Sequence, residues 1–424
     1  MTAGAVLLSF ATLELDGELE WSGLGDGPFG NVASADGART LLATIAGSMI
    51  TVASLTFSIT IASLSLASSQ FGPRLMRNFM RDTGNQVVLG TFIATFAYCL
   101  LVLRTVRGTE GIAFVPSISM VMAVVLAMAS LAVLIYFINH ISLSIQATRI
   151  IASIGRDLDA IVEQLYPEKR DQGDDGSGYQ EDQDWEPRGE SRRVYSLRSG
   201  YVQAVRYEDL VREAKQADVV VTIPHHAGQF VSKGTTIAEV FGNGTADEEF
   251  DQKVNEAFTI GSDRTARRDV EFYIDQLVEI AVRALSPGIN DPFTAMACID
   301  QLGASLRQLA ERKLPPPNHR DEDGNVRVHA KSQTFDGAVS AAFNPIRQYG
   351  QTSAPVSMRL METIAVLAEY APSAEHRETL LRHARMIQQA ATSQMQEQAD
   401  IAALEERFDS VIEALESDTA PTAD

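Results

Sequence analysis

Three long runs of apolar residues mark the first third of the chain. They cover residues 41–67, 87–103 and 112–138, and none of them contains a charged side chain. A helix that crosses a bilayer needs about 20 mostly apolar residues, so the first and third runs suffice and the second lies at the lower limit. Helices of soluble proteins seldom reach this length without a charged face. The pattern therefore predicts an α-helical transmembrane domain of three spans over residues 41–140.

Residues 1–13 form a fourth, shorter apolar run at the start of the chain. This run is too short to span a bilayer, and it lacks the basic residues that begin a signal peptide. We interpret it as the tail of a helix whose beginning is missing, or alternatively as a short interfacial segment. Together with the acidic stretch that follows, it gives a partial N-terminal helix and an extracytoplasmic loop over residues 1–40.

The placement of basic residues predicts how the chain is oriented. Residues 14–38 contain only acidic charges, whereas the loop after the first run contains Arg74, Arg77 and Arg81. Cytoplasmic loops are enriched in Lys and Arg, so we expect the arginine loop and the large C-terminal part to be cytoplasmic. The protein is then a multi-pass membrane protein with its C-terminal part in the cytoplasm. The three arginines either bind anionic lipid headgroups or contact the cytoplasmic domain during gating.

Hydroxyl side chains recur along the first apolar run at the spacing of a helix face. The members of this hydroxyl stripe are Thr44, Ser48, Thr51, Ser54, Ser58 and Ser65. Small residues of this kind let two helices pack closely, and they also form the polar wall that a water-filled pore requires. The sequence leaves both interpretations open. Because the three runs contain no charged residue, a proton relay inside the bilayer is not expected.

The polar remainder of the chain is predicted to be an α+β region. Its parts are a connecting helix over 141–170, an acidic linker over 171–192, a small β-barrel-like module over 193–245 and a helical bundle over 246–424. In the module, Gly228 and Gly234 bracket a short strand, as in the half-motif of biotinyl and lipoyl domains. Phe241 and Gly242 stand where the modified lysine of those domains would follow. We therefore expect no prosthetic group.

Apolar residues at helical spacing predict five helices in the C-terminal part. They cover residues 264–285, 292–312, 334–350, 355–371 and 374–416, with a Pro-rich loop over 313–330. The turn between the first two helices contains Asn290 and Asp291, whose side chains offer oxygen atoms to an ion or a ligand. Alternatively, Asp291 caps the second helix, Pro292 begins it, and the turn has no ligand.

Composition excludes several classes of function. The chain has 424 residues and a net charge of -20, with 35 Lys and Arg against 55 Asp and Glu, so a nucleic-acid partner is not expected. Only two cysteines, Cys99 and Cys298, are present, which excludes a disulfide framework and a four-cysteine metal site. We interpret the adjacent His225 and His226 as structural or solvent-facing. Since the chain shows no metal or catalytic motif, we expect no metal, no cofactor and no enzymatic activity.

Five segments in combination resemble a known bacterial family. They are residues 44–50, 68–74, 78–82, 199–203 and 284–295, the last with the sequence ALSPGINDPFTA. Over most of residues 39–312 the chain is similar to the bacterial predicted membrane proteins grouped as domain of unknown function 2254. The resemblance implies an inner-membrane protein with a cytoplasmic domain and no assigned activity. It also implies a further full transmembrane helix at the N-terminus, where this chain has only residues 1–13.

Two functional hypotheses from different classes follow from these features. The first is a homo-oligomeric ion channel or pore, in which the hydroxyl stripe lines the pathway and the cytoplasmic domain regulates it. Several copies are required, because three spans are too few to enclose a path. The second is a membrane-anchored binding or signalling module that recruits a cytoplasmic protein partner and has no transport activity. Both hypotheses place the chain in a lipid bilayer.

Overall fold

The chain divides into two compact units, Met1–Arg149 and Ile150–Asp424. The computed structural model describes residues 1–21, 35–72, 83–109, 112–144, 146–168, 187, 189–242, 247–265, 268–331 and 333–416. The finer domain boundaries predicted from the sequence stay predictions.

The described residues of the first unit form four helices and a two-stranded hairpin. These elements are α1 (Thr2–Trp21), α2 (Ala35–Phe71), α3 (Thr83–Thr105), β1 (Arg107–Thr109), β2 (Ile112–Phe114) and α4 (Ser117–Ser144). Helices α2, α3 and α4 are long and apolar enough to cross a membrane. The three apolar helices expected from the sequence are therefore confirmed.

Two boundaries in the first unit differ from the prediction. Residues 112–114 pair with β1 instead of starting a helix, and α4 begins at Ser117, directly after Pro116. Proline is favourable there because it removes a donor that a helix start leaves unbonded anyway. At the N-terminus, α1 continues to Trp21 and packs against α3 and α4, so residues 14–21 are helical and not part of a loop.

The first unit buries several polar side chains within its apolar core and has an apolar exterior. Its buried polar side chains are Ser9, Thr12, Asp16, Thr56, Thr95, Ser119 and Ser130. The hydroxyls of Thr95 and Ser130 lie 3.0 Å apart, so they satisfy each other inside the helix packing. The exposed large apolar side chains include Leu7, Phe10, Phe57, Ile93, Val125, Met128 and Ile135. Apolar surface of this extent is stable against lipid and unstable against water.

The helices of the second unit follow the predicted periodicity with two exceptions, one of which is that the helix predicted from residue 264 begins only at Val270, where the Asp269 side chain caps it. The helices are α5 (Ala147–Leu165), α6 (Tyr207–Ala217), α7 (Glu248–Ala257), α8 (Val270–Ala284), α9 (Pro292–Ala310), α10 (Phe335–Gly350), α11 (Ala354–Glu369), α12 (Ala374–Thr392) and α13 (Gln398–Glu416). The single helix predicted over 374–416 is therefore wrong, since a turn at residues 393–397 divides it. No Pro or Gly marks this break in the sequence.

The strands of the second unit form two separate sheets. The strands are β3 (Ser191–Tyr195), β4 (Gly200–Val205), β5 (Val220–Ile223), β6 (Phe230–Val231), β7 (Thr236–Phe241), β8 (Phe258–Gly261), β9 (Asn318–Arg320) and β10 (Val326–Ala330). One sheet has the order β3-β7-β5-β10-β9 and the other the order β6-β4-β8. The described strands do not close into a barrel, which corrects the predicted barrel-like module. The half-motif covered only about a dozen residues, too few to determine how the other strands pair.

The segment predicted as a Pro-rich loop supplies two strands of the larger sheet. β10 pairs in parallel with β5 and antiparallel with β9. Val328 and Ala330 are buried in one core with Val221 and Ile223 of β5. Residues 315–317 are all proline and hide the short alternating pattern that follows them.

Candidate functional site

Helix α2 packs on its neighbours through a narrow face of small residues. The buried side chains of α2 are Ala38, Leu42, Ala46, Ala53, Thr56 and Ala67. They recur at intervals that keep them on one side of a helix, and the closest partner of α2 is α3. We call this side the alanine face. Alanine at these positions lets the two helix backbones approach closely.

The hydroxyl stripe lies on the opposite side of α2. All six of its residues, Thr44, Ser48, Thr51, Ser54, Ser58 and Ser65, are exposed. With a rotation of about 100° per residue, the stripe is centred on the side that points away from the alanine face. Large exposed apolar side chains flank it, namely Ile50, Phe57, Ile59 and Ile61, and Leu55 lies within its angular range. Packing against another described helix of the same chain therefore does not account for the stripe.

Five of the six stripe hydroxyls donate a hydrogen bond to their own helix. The acceptors are the carbonyl oxygens four residues earlier, at 2.7–2.9 Å from the hydroxyls of Thr44, Ser48, Thr51, Ser54 and Ser58. Each donated proton is satisfied without a further partner, while the oxygen lone pairs remain available on the outer surface. A surface built in this way is stable against lipid, against a second copy of the chain or against water.

A polar network that the sequence analysis missed joins α1, α3 and α4. The buried carboxylate of Asp16 accepts hydrogen bonds from the backbone N–H groups of Ile118 (2.7 Å) and Ser119 (2.9 Å) and from the Ser119 hydroxyl (2.6 Å). The Tyr98 hydroxyl donates to the Ser119 carbonyl at 3.1 Å and lies 2.9 Å from the Thr12 hydroxyl. Asp16 therefore caps α4 from a neighbouring helix, where a negative charge also faces the positive end of the α4 dipole.

The pair of residues predicted to bind an ion lies in the turn between α8 and α9. Asn290 is exposed and has a φ angle of 50°, in the left-handed region. Both carboxylate oxygens of Asp291 accept hydrogen bonds from Thr294, one from its backbone N–H at 3.1 Å and one from its hydroxyl at 2.6 Å. These are the bonds of an N-cap, with Pro292 starting α9. Capping accounts for Asp291, and an ion-binding role stays a prediction.

The two adjacent histidines take part in a local hydrogen-bond chain. The Gln229 side chain bridges them, with Nδ1 of His225 at 3.3 Å and Nε2 of His226 at 2.9 Å. Their other ring nitrogens contact the carbonyl oxygens of Thr236 (3.0 Å) and Ala227 (2.8 Å). All four ring nitrogens are thus engaged within the protein. Among the described residues, no group of three or more His, Cys, Asp and Glu side chains is arranged to hold a metal ion.

A groove of about 720 Å³ between α6 and the edge strand β9 was not predicted from the sequence. Its base is formed by Tyr207 and His319, whose rings stack with centroids 4.2 Å apart. Burial raises the pKa of Tyr207 and lowers that of His319. Charged residues of both signs line its rim, namely Glu208, Arg212, Lys215, Arg320, Asp321 and Glu322. Only the pairing of the distant β9 with this sheet creates the groove, so no local sequence pattern indicates it.

The basic loop after α2 also belongs to the predicted site residues. Arg74, Arg77 and Arg81 lie outside the described residues, so their roles at the membrane surface stay predictions.

Comparison with known proteins identifies the family. A family model described as "Predicted membrane protein (DUF2254)" matches residues 1–366. The chain belongs to this family. Uncharacterized proteins of Mycobacterium bovis and of two strains of Mycobacterium tuberculosis are each 32% identical to it over 368 residues, which are 86% of this chain and 70% of the relative. No solved structure matches the chain.

Membership of the DUF2254 family confirms the resemblance seen in the sequence motifs. The family description agrees with the three apolar helices and the apolar exterior of the first unit, so this is a membrane protein with transmembrane helices. The match ends at residue 366, within α11, and α12 and α13 lie beyond it.

Proposed function

We propose that this DUF2254 protein forms a homo-oligomeric ion channel in the bacterial inner membrane. In this proposal α2 lines the pathway, and the second unit is a cytoplasmic regulatory domain. The observation that carries the proposal is the outward hydroxyl stripe of α2. The outward faces of α1, α3 and α4 present large apolar side chains, such as Leu7, Ile93 and Met128, as lipid requires. The stripe instead presents hydroxyl groups on the outward face of α2, over a length of helix sufficient to cross the bilayer.

Several copies of the chain are needed to form a pathway, because one copy presents its stripe to the outside. Copies arranged around an axis with α2 innermost bring their stripes together around water. Ile50 and Phe57 then lie on one side of the stripe and Ile59 on the other, where each contacts a neighbouring copy or lipid. The alanine face keeps its contact with α3 in this arrangement.

Single cysteines on α2 test this proposal. Cys99 and Cys298 are both buried, and burial raises the pKa of the Cys298 thiol, so neither native cysteine competes for a charged methanethiosulfonate. We expect S54C and S58C channels in planar bilayers to lose most of their current on modification, because the added charge projects into the path. The matched controls F57C, on the flank, and A53C, on the alanine face, retain their current.

Two outcomes would contradict the proposal at different points. Folded, oligomeric protein that passes no current contradicts channel activity itself. Equal block of F57C and S58C channels contradicts the assignment of the hydroxyl stripe to the pathway.

The second candidate function is a membrane-anchored binding or signalling module without transport activity. The groove between α6 and β9 supports it, because a volume of about 720 Å³ with an aromatic base and charged rim suits a small ligand or a peptide of a partner protein. Silent bilayers, together with loss of a co-purifying partner in the R320E variant, would favour this alternative over the channel.

A further inference from the structure

The turn between α8 and α9 exposes large apolar side chains. We call residues 285–293 the α8–α9 tip. Within it, Phe293 is 77% exposed and Ile289 is 46% exposed. Tyr349, at the end of α10, is 58% exposed, and its neighbour Gly350 lies beside Leu285 of the tip. Three large apolar side chains are therefore exposed at one end of the second unit.

Hydrogen bonds fix the shape of the tip. The backbone N–H of Asn290 donates to the Ser286 carbonyl at 2.9 Å, and that of Asp291 donates to the Ala284 carbonyl at 2.8 Å. The Asp291 cap then starts α9 one residue before Phe293. Ile289 and Phe293 are thus held outward by a well-bonded turn. An exposed apolar surface that is built in this way indicates a contact with another apolar phase.

Helices α5 and α9 run side by side in the same direction. Gly155 packs against Gln301, the Asp159 carboxylate accepts a hydrogen bond from the Ser305 hydroxyl at 2.5 Å, and Arg312, just after α9, donates to the Tyr166 carbonyl at 3.3 Å. In each pair the second residue is numbered 146 above the first. The register is therefore constant over the length in which the two helices touch.

This register places the α8–α9 tip at the end of the second unit where α5 begins. Continued back by about two helical turns, it sets Phe293 level with Ala147, the first residue of α5. Only residues 145 and 146 separate α5 from α4, which is one of the three membrane-spanning candidates. The tip therefore lies at the end of the second unit that the chain enters directly after α4.

We propose that the α8–α9 tip inserts Ile289 and Phe293 into the lipid interface of the bilayer that α4 crosses. A rigid Phe and an Ile on a turn fit the boundary between headgroups and acyl chains, and Tyr349 beside them fits the headgroup level, where its hydroxyl stays hydrated. Arg149 and Arg156, exposed in the first half of α5, are placed to contact anionic headgroups. The partner of this surface is phospholipid, and the proposal holds with or without channel activity.

Nitroxide labels on single cysteines of the full chain test this proposal. The I289C and F293C variants replace exposed side chains, so they are expected to fold, and the buried Cys99 and Cys298 remain unlabelled. The matched control is V366C, on α11. Val366 is 51% exposed. Thr363, one turn before it, packs against Gly303 of α9. At a rise of 1.5 Å per residue, Val366 therefore lies about 20 Å from the tip, measured along the axis of α9.

The readout is collision of each label with molecular oxygen, which concentrates in lipid, and with a water-soluble nickel chelate. In vesicles of phosphatidylethanolamine and phosphatidylglycerol, we expect labels at 289 and 293 to collide several-fold more with oxygen and several-fold less with nickel than the label at 366. Nickel collision at 293 equal to that at 366 would show that the tip lies in water and overturn the proposal. Low collision with both reagents would place the tip in a protein contact and overturn it equally.

Discussion

At the scale of single residues, Asp16 has a structural role that the surrounding sequence does not indicate. It lies in a run of acidic residues that suggests a solvated loop, yet its side chain is buried and bonded to the start of α4. The signal was the spacing of Ala5, Ser9, Thr12 and Asp16, which places one small and polar stripe on the inner face of α1.

Removing the Asp16 carboxylate should weaken the packing of α1 on α4. We expect D16A to lower the free energy of unfolding by about 2 kcal/mol, because two backbone N–H groups and a hydroxyl lose their acceptor in an apolar setting. Thermal unfolding in detergent measures the change. E18A, at an exposed position of the same helix, is the control, and an equal loss of stability in both variants would contradict the cap.

A second residue-scale prediction concerns His383, which is fully buried in α12. Its Nε2 lies 3.2 Å from the Ser340 hydroxyl, and burial, together with the positive charges of Arg382 and Arg347, lowers its pKa to about 4. In the unfolded chain a histidine takes up a proton below about pH 6.5, whereas the folded protein does so only near pH 4. The contribution of neutral His383 to stability is therefore complete above pH 6.5 and is lost as the pH falls toward 4.

We expect the wild-type second unit to lose up to about 3 kcal/mol of stability through this group between pH 6.5 and 4. The H383Q variant lacks the titrating ring and should show a correspondingly flatter dependence. Hydrogen exchange of the α12 amides, measured in the full chain at several pH values, gives the stability of each protein. Contributions from other titrating groups are common to both proteins and cancel in the difference between wild type and H383Q. Parallel pH profiles for the two proteins would contradict this role of His383.

At the scale of elements, the larger sheet depends on strands that are distant in sequence. β10 lies between β5 and β9 in this sheet and pairs with one edge of β5. The predicted module over 193–245 does not contain β10, so this edge of β5 would be unpaired in it. We expect a fragment of residues 190–262 to remain largely unfolded, because Val221 and Ile223 lose the neighbours that bury them. A fragment of residues 147–416 contains all the strands and should fold.

The dispersion of amide proton resonances and the cooperativity of thermal melting distinguish the two fragments. A cooperative transition in the fragment of residues 190–262 would show that β3–β8 form an independent module and contradict the dependence on β10.

The elements also show how far the sequence determines this structure. Helix α9 was predicted closely, since a helical pattern is local and Asp291 with Pro292 marks a start, whereas the start of α8 was predicted six residues too early. β9 and β10 were missed, because strand pairing joins distant segments and leaves no local signal. The spacing of the hydroxyl stripe was correct from sequence alone. The side of α2 on which the stripe lies relative to α3 depends on tertiary packing. The sequence alone therefore does not determine whether the stripe contacts another helix, lipid or water.

At the scale of the whole molecule, the two units follow different rules for the surface that they expose. Both units bury apolar cores, but the first unit also exposes large apolar side chains along its helices, whereas the second unit exposes few of them. The overall composition averages these two rules and indicates neither, but the distribution of charge along the chain separates them. Sequence therefore indicated the membrane part firmly, and the groove between α6 and β9 not at all.

The internal bonding of the α2 hydroxyls also bears on how the chain reaches its mature form. Since Thr44, Ser48, Thr51, Ser54 and Ser58 each give their proton to the same helix, a newly synthesised chain can enter the hydrocarbon without waiting for another copy to satisfy them. Biogenesis of the proposed channel can thus proceed in two stages, with insertion of single chains first and their association within the membrane afterwards.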